Sequence, residues 1–364
     1  MEEPTQKSKV AIIVPTLNRP DFVIRQLNYY ARLHSPHTIY YADSSNPENA
    51  KKVTDEIAKL KARLHIVYMP SPVGDPTKSM LQLLSSVQEK YVAYAGDDDY
   101  WVPDALNQCV EFLEKNPDYE AATGKSVMFR LENNGVYGKI KVIYDYPKYP
   151  IEDDTASERL FNYLGPKPST IAAAVVRTEH FLKYQRDSME IKDFSIQAEF
   201  LISCLMPIAG KYKVIDKLGY VMQLHNIDIH AQITSKDTFE WVINNENWYS
   251  SYTLLKAKVV AALMAKDNIS QEKAEQVFKQ SMWFWMKERL RTSYRHINII
   301  NQPIKKSLRL KIATCLPLLK KAYNKFIVPW LNKEQLQYEV TRPNSKYYKD
   351  FKAVVDSLTE IRAA

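Results

Sequence analysis

The run Tyr91-Val92-Ala93-Tyr94-Ala95 stops against Gly96-Asp97-Asp98-Asp99-Tyr100-Trp101, and this abrupt change constrains the chain more than any other feature. Five apolar or small residues read as a buried strand, and the glycine ends it. Three adjacent carboxylates repel one another at pH 7 unless a cation lies among them, and their oxygens suit Mg²⁺ or Mn²⁺. An acidic turn facing water is the alternative. The position favours a site, because open α/β sheets bind ligands just beyond the carboxyl ends of their strands.

The preceding residues repeat one unit. Val10-Ala11-Ile12-Ile13-Val14 is a continuous apolar run, as in strands covered on both faces, and it stops at Pro15-Thr16-Leu17-Asn18-Arg19-Pro20. A helix with apolar Phe22, Val23, Leu27 and Tyr30 follows, then a strand over His37 to Ala42 that ends in Asp43-Ser44-Ser45-Asn46. Lys51 to Leu60 reads as a helix, Leu64 to Met69 as a strand, and Thr77 to Gln88 as the helix before the acids. This alternation predicts βαβ units and an α/β fold with the polar loops on one sheet edge.

Pro15-Thr16-Leu17-Asn18-Arg19, Asp43-Ser44-Ser45 and Gly96-Asp97-Asp98-Asp99-Tyr100-Trp101 together resemble the three motifs of family 2 glycosyltransferases with the GT-A fold, in the same order and at similar separations. The resemblance covers about residues 8–230. It implies a Rossmann-like, mostly parallel sheet flanked by helices, with a nucleotide-binding half (about 8–102) and an acceptor-side half (about 103–232). Residues 233–364 are then an added, basic α-helical region.

By the same resemblance, Pro15, Thr16, Asn18 and Arg19 belong to the nucleotide pocket, and Asp43 accepts from a uracil ring of a UDP-sugar. Ala42 stands where the commoner pattern has a first acid, and Asp43 could instead cap the following turn. The family's D-x-D-D pattern puts Gly96 at its first acid. Asp99 is then expected as the first metal ligand, Asp98 as the next, and Asp97 as a substitute for the missing acid. Bound Mn²⁺ or Mg²⁺ would neutralise the leaving diphosphate. Lys78, early in its helix, adds a positive charge to the phosphates or is a solvated lysine. His225 falls where many such enzymes carry a late metal-site histidine; His230 is the weaker candidate.

An inverting transfer needs a general base, and the resemblance points to Asp193, with Glu199 as second candidate. Lys192 replaces the usual Glu, and an acid here also serves as a helix N-cap. Gly210 to Asp216 and Gly219 to Asn226 resemble the closing strand pair. Residues that select the sugar and the acceptor are expected in Thr123 to Thr170, with its Tyr144, Tyr146 and Tyr149.

Composition narrows the classes. Only eight glycines occur, with no Gly-rich phosphate loop, Walker signature or internal repeat. Cys109, Cys204 and Cys315 are far apart in apolar surroundings, which predicts reduced, buried thiols and a cytoplasmic setting. The polar start and the lack of a long uncharged apolar stretch predict neither a signal peptide nor a spanning helix. From Lys279 to Trp330, twelve Lys and Arg face one acid, Glu288, and are interleaved with Trp283, Trp285 and Trp330. Such helices suit an anionic membrane interface, as a peripheral contact, or a basic subdomain packed on the catalytic part. Nucleic acid is not expected, for want of a motif.

The expected function is transfer of a sugar from a nucleotide-sugar to a glycan or lipid-linked acceptor in surface-glycan synthesis. The rivals are a sugar nucleotidyltransferase, which would carry a Gly-rich basic loop after its first strand, and a non-catalytic nucleotide-sugar-binding scaffold.

Overall fold

The computed structural model describes residues 9–71, 76–165, 173–193, 195–225, 238–297 and 335–359. The expected alternation is present: β1 (Val10–Thr16), α1 (Pro20–Arg32), β2 (Thr38–Asp43), α2 (Pro47–Leu60), β3 (Ile66–Pro70), α3 (Pro76–Leu84) and β4 (Tyr91–Tyr94). There follow β5 (Tyr100–Trp101), α4 (Pro103–Lys115), β6 (Tyr119–Leu131), β7 (Ile140–Tyr146), α5 (Ala156–Leu164), β8 (Val175–Arg177) and α6 (Thr178–Ser188). A π-helical turn (Ile196–Phe200), α7 (Leu201–Ala209) and β9 (Lys211–Leu224) close this part.

Among the described residues one nine-stranded sheet runs β3-β2-β1-β4-β8-β6-β9-β5, with β7 paired to β6. β3, β2, β1 and β4 are mutually parallel, so their carboxyl ends share one edge. Beyond β4 the sheet is mixed: β8 is antiparallel to β4 and β6, while β9 is parallel to β6. Pro15 sits in an inner strand without losing a ladder bond. β4 pairs β1 only as far as Ile13, so that side of the strand is already open at Pro15.

The strands are apolar on both faces because both faces are covered. Val10, Ile12 and Val14 face a core closed by α1, α2 and α4, whereas Ala11 and Ile13 face one closed by α3, α5, α6 and α7. Cys109 and Cys204 are buried, one in each core, and burial pushes both thiols well up, as expected of structural cysteines. Cys315 lies outside the described residues.

One expectation is corrected at the closing strand pair, which is a single strand, β9, whose register against β6 shifts around Gly124 and Lys125. The two backbones nearly touch there: a Cβ on Gly124 would sit 2.6 Å from the Lys217 carbonyl oxygen and 2.7 Å from Gly219 Cα. Gly219 meets Gly124 equally closely. Two facing glycines therefore let β9 bend without ending.

The region after residue 232 divides in its packing. α8 (Thr238–Asn244), α9 (Trp248–Asp267) and α10 (Gln271–Ile297) bury Leu255, Val259, Leu263, Val277 and Phe278 in the same core as α5 and α7. Each such side chain contributes about 1.5–3 kcal/mol of burial. Asp267, at the end of α9, also accepts from the Ala156 and Ser157 amides that begin α5, both at 2.8 Å. Its charge there complements the helix dipole.

α11 (Leu336–Glu339) and α12 (Tyr348–Ser357) return instead to the other core, where Phe351, Val354 and Leu358 cover α1 and β9. Lys279, Lys287 and Arg289 are exposed on α10, whose apolar residues pack in this core. The side chains of Arg291 and Arg295, and the residues from Lys305 to Trp330, lie outside the described ones. Among the described residues no helix is long and apolar enough to cross a membrane.

Candidate active site

The shared edge of β1, β2 and β4 gathers the three motifs. Thr16 Oγ1, at the end of β1, donates to Asp97 Oδ2 at 2.7 Å. Arg19, one turn before the apolar face of α1, forks between two acids: Nη1 is 2.6 Å from Asp97 Oδ1 and Nη2 is 2.7 Å from Asp98 Oδ2. The first contact lacks hydrogen-bond alignment, so Asp97 Oδ1 is a buried acceptor held only by charge. Phe22 supports the guanidinium from below, its ring centroid 4.1 Å away.

His225, just past β9, reaches the same place. Its Nε2 lies 2.7 Å from Asp98 Oδ2, and its ring meets Phe22 edge-on. Asp99 points inward and away from this pair. Tyr220 donates to its Oδ2 at 2.6 Å and the Gln223 amide to its Oδ1 at 3.0 Å. The carboxylates of Asp98 and Asp99 fold back over residue 96, where a Cβ would stand 2.8 and 2.9 Å from their oxygens. Gly96 is therefore a spatial requirement of this loop, which explains its place in a position where the resemblance leads one to expect an acid.

Burial sets the electrostatics, and Asp98 is the acid that stays charged. Desolvation opposes its ionisation, but His225 and Arg19 outweigh it and hold its carboxyl below the usual range. Asp97 and Asp99 are pushed up, to about 7 and about 8, first by burial and then by the charge on Asp98.

Asp99 faces Tyr220 and Gln223, whereas Asp98 and His225 meet each other. Among the described residues no three His, Cys, Asp or Glu side chains converge as a metal site. Asp98 and His225 are the two donors that share a point, and two protein donors suffice where substrate phosphates and water complete the shell of a hard cation. The residues present therefore fit a sparse cation site centred on Asp98 rather than on Asp99.

The remaining candidates separate into holders of the loops and outlying positions. Asp43 is buried, accepting from the Ser45 amide at 2.8 Å and from the Tyr68 hydroxyl at 2.6 Å. It combines the turn-capping role with a place beside Thr16 on the sheet edge. Asn18, at φ 54°, donates its amide to Ser45 Oγ and accepts from the Asn46 amide, locking the first loop to the second. Lys78 is exposed in the first turn of α3. His230 and the side chain of Glu199 lie outside the described residues.

Asp193 is buried just before the π-helical turn. Its Oδ1 accepts from the Ile196 amide at 2.8 Å and so caps the π-helical turn; its Oδ2 accepts from Trp241 Nε1 at 2.9 Å and from Asn245 Nδ2. Its own amide donates to Ser251 Oγ at 3.0 Å. A carboxylate has about four lone-pair directions, so three are used and one remains on Oδ1. Capping and a free basic lone pair therefore coexist in one side chain.

Sequence reading missed Arg25 and Gln26, both buried on α1. Arg25 donates to the Asp98 carbonyl at 3.0 Å and to Gln223 Oε1 at 2.8 Å; Gln26 Nε2 donates to the carbonyls of Gly96 and Asp99, both at 2.8 Å. They clamp the acidic loop from the helix side. Their signal was available: two polar residues inside an otherwise apolar helix face, between Val23 and Leu27.

Residues 11–162 match the family described as Glycosyl transferase family 2, a span that contains the Thr16, Asp43 and Asp97–Asp99 positions. Over these residues the match supports a family 2 glycosyltransferase domain. The chain is also similar to "Putative teichuronic acid biosynthesis glycosyltransferase TuaG" of Bacillus subtilis (strain 168). The identity is 25% over 123 residues, covering 34% of this chain and 48% of that protein. The chain thus spans about half the length of the curated relative it matches. The whole structure is similar to S. aureus TarS 1-349 in complex with UDP-GlcNAc, with TM-score 0.51 and 16% identity over 96% of this chain and 89% of that one. At that identity the likeness is one of fold: a mixed, partly parallel sheet with flanking helices and a helical continuation.

Proposed function

We propose that the chain transfers a sugar from a UDP-sugar to a glycan or lipid-linked acceptor in cell-surface polysaccharide synthesis, with inversion at the sugar carbon. The observation that carries this reading is the gathering of Thr16, Arg19, Asp98 and His225 on the edge where β1, β2 and β4 end. Two comparisons support the setting: TuaG's name places that protein in teichuronic acid biosynthesis, and TarS, which shares the fold, was crystallised with UDP-GlcNAc.

Asp43 receives the base, Thr16 and Asn18 fix the loops around it, and Arg19 stands where the diphosphate arrives. Asp98 and His225 are the residues that would hold Mn²⁺ or Mg²⁺, which when bound neutralises charge on the departing diphosphate. Asp99, with Tyr220, keeps the loop in place. On the far side Asp193 accepts the proton of the attacking acceptor hydroxyl as its oxygen bonds to the sugar carbon and the bond to the diphosphate breaks. The domain division that follows puts the donor on residues 8–102 and the acceptor on 103–232 together with α8 to α10.

Calorimetric titration with UDP, UDP-sugars and other nucleoside diphosphates, with Mn²⁺ and then with EDTA, tests the donor side. UDP is expected to bind, more tightly with Mn²⁺. Absence of nucleotide binding sinks the reading, and preference for another base removes the role given to Asp43.

A further inference from the structure

Beyond the acids, a second concavity lies in the helical region, a cavity of about 650 Å³ between α8, α9 and α10. That is within the ~300–1,000 Å³ typical of small-molecule sites. One wall is a continuous aromatic face: Trp248 stacks on Tyr252 at 5.9 Å and 27°, and Phe278 meets Tyr252 at 5.8 Å. The lining also includes Trp283, which is 68% exposed. Together with Trp248 and Tyr252 it adds a further aromatic surface to the same concavity.

The rim selects what that is. Lys256 pairs with Glu275 at 2.9 Å, and Glu272 and Lys279 stand beside them, so two cations and two acids cancel. A polyanion finds no net attraction there. A hydrocarbon tail would strip water from four charged groups without replacing their hydrogen bonds. A sugar ring meets both requirements, since its C–H faces pack on aromatic rings while its hydroxyls bond to the charged rim.

The cavity is also joined to the proposed base. Trp248 packs edge-on against Trp241 with centroids 4.7 Å apart, and Trp241 is the residue whose indole N–H holds Asp193. Trp241 thus touches both a lining residue of the cavity and the carboxylate.

We infer that this cavity is an acceptor subsite that binds an uncharged saccharide segment of the acceptor; the assignment to the acceptor rests on the reading of Asp193 as the base. Trp248 and Tyr252 form the stacking platform and Trp283 closes over the opposite face of the ring. Trp241 transmits the position of the platform to Asp193.

Titration of the full chain with chitotriose and with maltotriose, followed by calorimetry, tests this, with UDP added to the same samples afterwards. At least one trisaccharide is expected to bind. Trp283→Ala, an exposed position whose loss leaves the fold intact, is expected to weaken that binding about tenfold, the order of one lost stacking face, with UDP affinity unchanged. A melting curve for the variant confirms the fold. The inference is overturned if neither trisaccharide binds at millimolar concentration, if Trp283→Ala binds as tightly as the wild type, or if dodecylphosphocholine or short polyphosphate binds here in their place. UDP binding without trisaccharide binding sinks the subsite alone; failure to bind UDP sinks the donor reading instead.

Discussion

The acidic loop and the Asp193 pocket hold buried carboxylates by opposite means. At the loop, the charge on Asp98 is balanced by a guanidinium and approached by an imidazole. At Asp193, the partners are an indole, an amide and a backbone N–H, all neutral. The first arrangement is poised for ligands that carry charge, because a diphosphate or a divalent cation can exchange places with the existing ion pairs. The second orients its carboxylate with neutral donors alone, the arrangement that the proposed proton acceptor calls for.

The largest effect that sharpens this contrast is expected at Asp193→Asn. The substitution keeps shape but reverses one hydrogen-bond preference and removes the basic lone pair. Turnover should fall by ~10²–10⁴, with UDP affinity within a few-fold of wild type in the same preparation. Near-full turnover would reduce Asp193 to a helix cap.

A second pair of variants separates the two inner acids. Asp98→Asn should abolish the gain in UDP affinity that Mn²⁺ gives, while leaving the urea midpoint little changed. Tyr220→Phe deprives buried Asp99 of a donor and should cost about 1–3 kcal/mol of stability, with the Mn²⁺ response retained. If Tyr220→Phe removes the Mn²⁺ response and Asp98→Asn does not, Asp99 is the ligand and the assignment to Asp98 fails.

The smallest effect concerns a third buried acid, Glu120, whose partners mix both kinds. Tyr184 donates to it at 2.9 Å, and His180 Nδ1 lies 2.8 Å away. The hydrogen bond to Glu120 raises the His180 pKa above its ordinary value of 6.5, against the opposing effect of burial. A raised pKa stabilises the fold fully below the unfolded-state value and loses that stabilisation as pH rises through the folded one. His180→Gln should therefore lower the melting temperature slightly at pH 5.5 and leave it nearly unchanged at pH 8.5. A deficit that is larger at pH 8.5 reverses the sign and removes the argument.

The first half of the fold was legible because its inner strands are buried on both faces, and continuous runs such as Val10 to Val14 leave little else for the chain to be. Its loops were legible for the same reason: Thr16, Asp43 and Asp97 to Asp99 fall where those runs stop. What escaped depends on long-range packing. Nothing local in Gly210 to Asn226 distinguishes two strands from one, since the bend comes from Gly124 meeting Gly219 across two chain segments. Arg25 and Gln26 were hidden because polar residues on a buried helix face gain meaning only from the carbonyls they meet. The direction of Asp99 was hidden too, because adjacent acids read alike until Tyr220 and Gln223 sort them.

The return of α12 has a consequence for the order in which the chain can acquire its structure. Ser357 bonds to the Tyr100 hydroxyl and Leu358 accepts from the Gly138 amide, contacts that span 257 residues in the first case. Phe351 and Val354 cover the core beneath α1, so a nascent chain that has already released every residue of the acidic loop still exposes an apolar face there. Closing so long a loop is entropically slow to reward. The parallel half of the sheet therefore emerges from the ribosome early but is sealed late, and during that interval it offers the apolar surface that chaperones and aggregation both recognise.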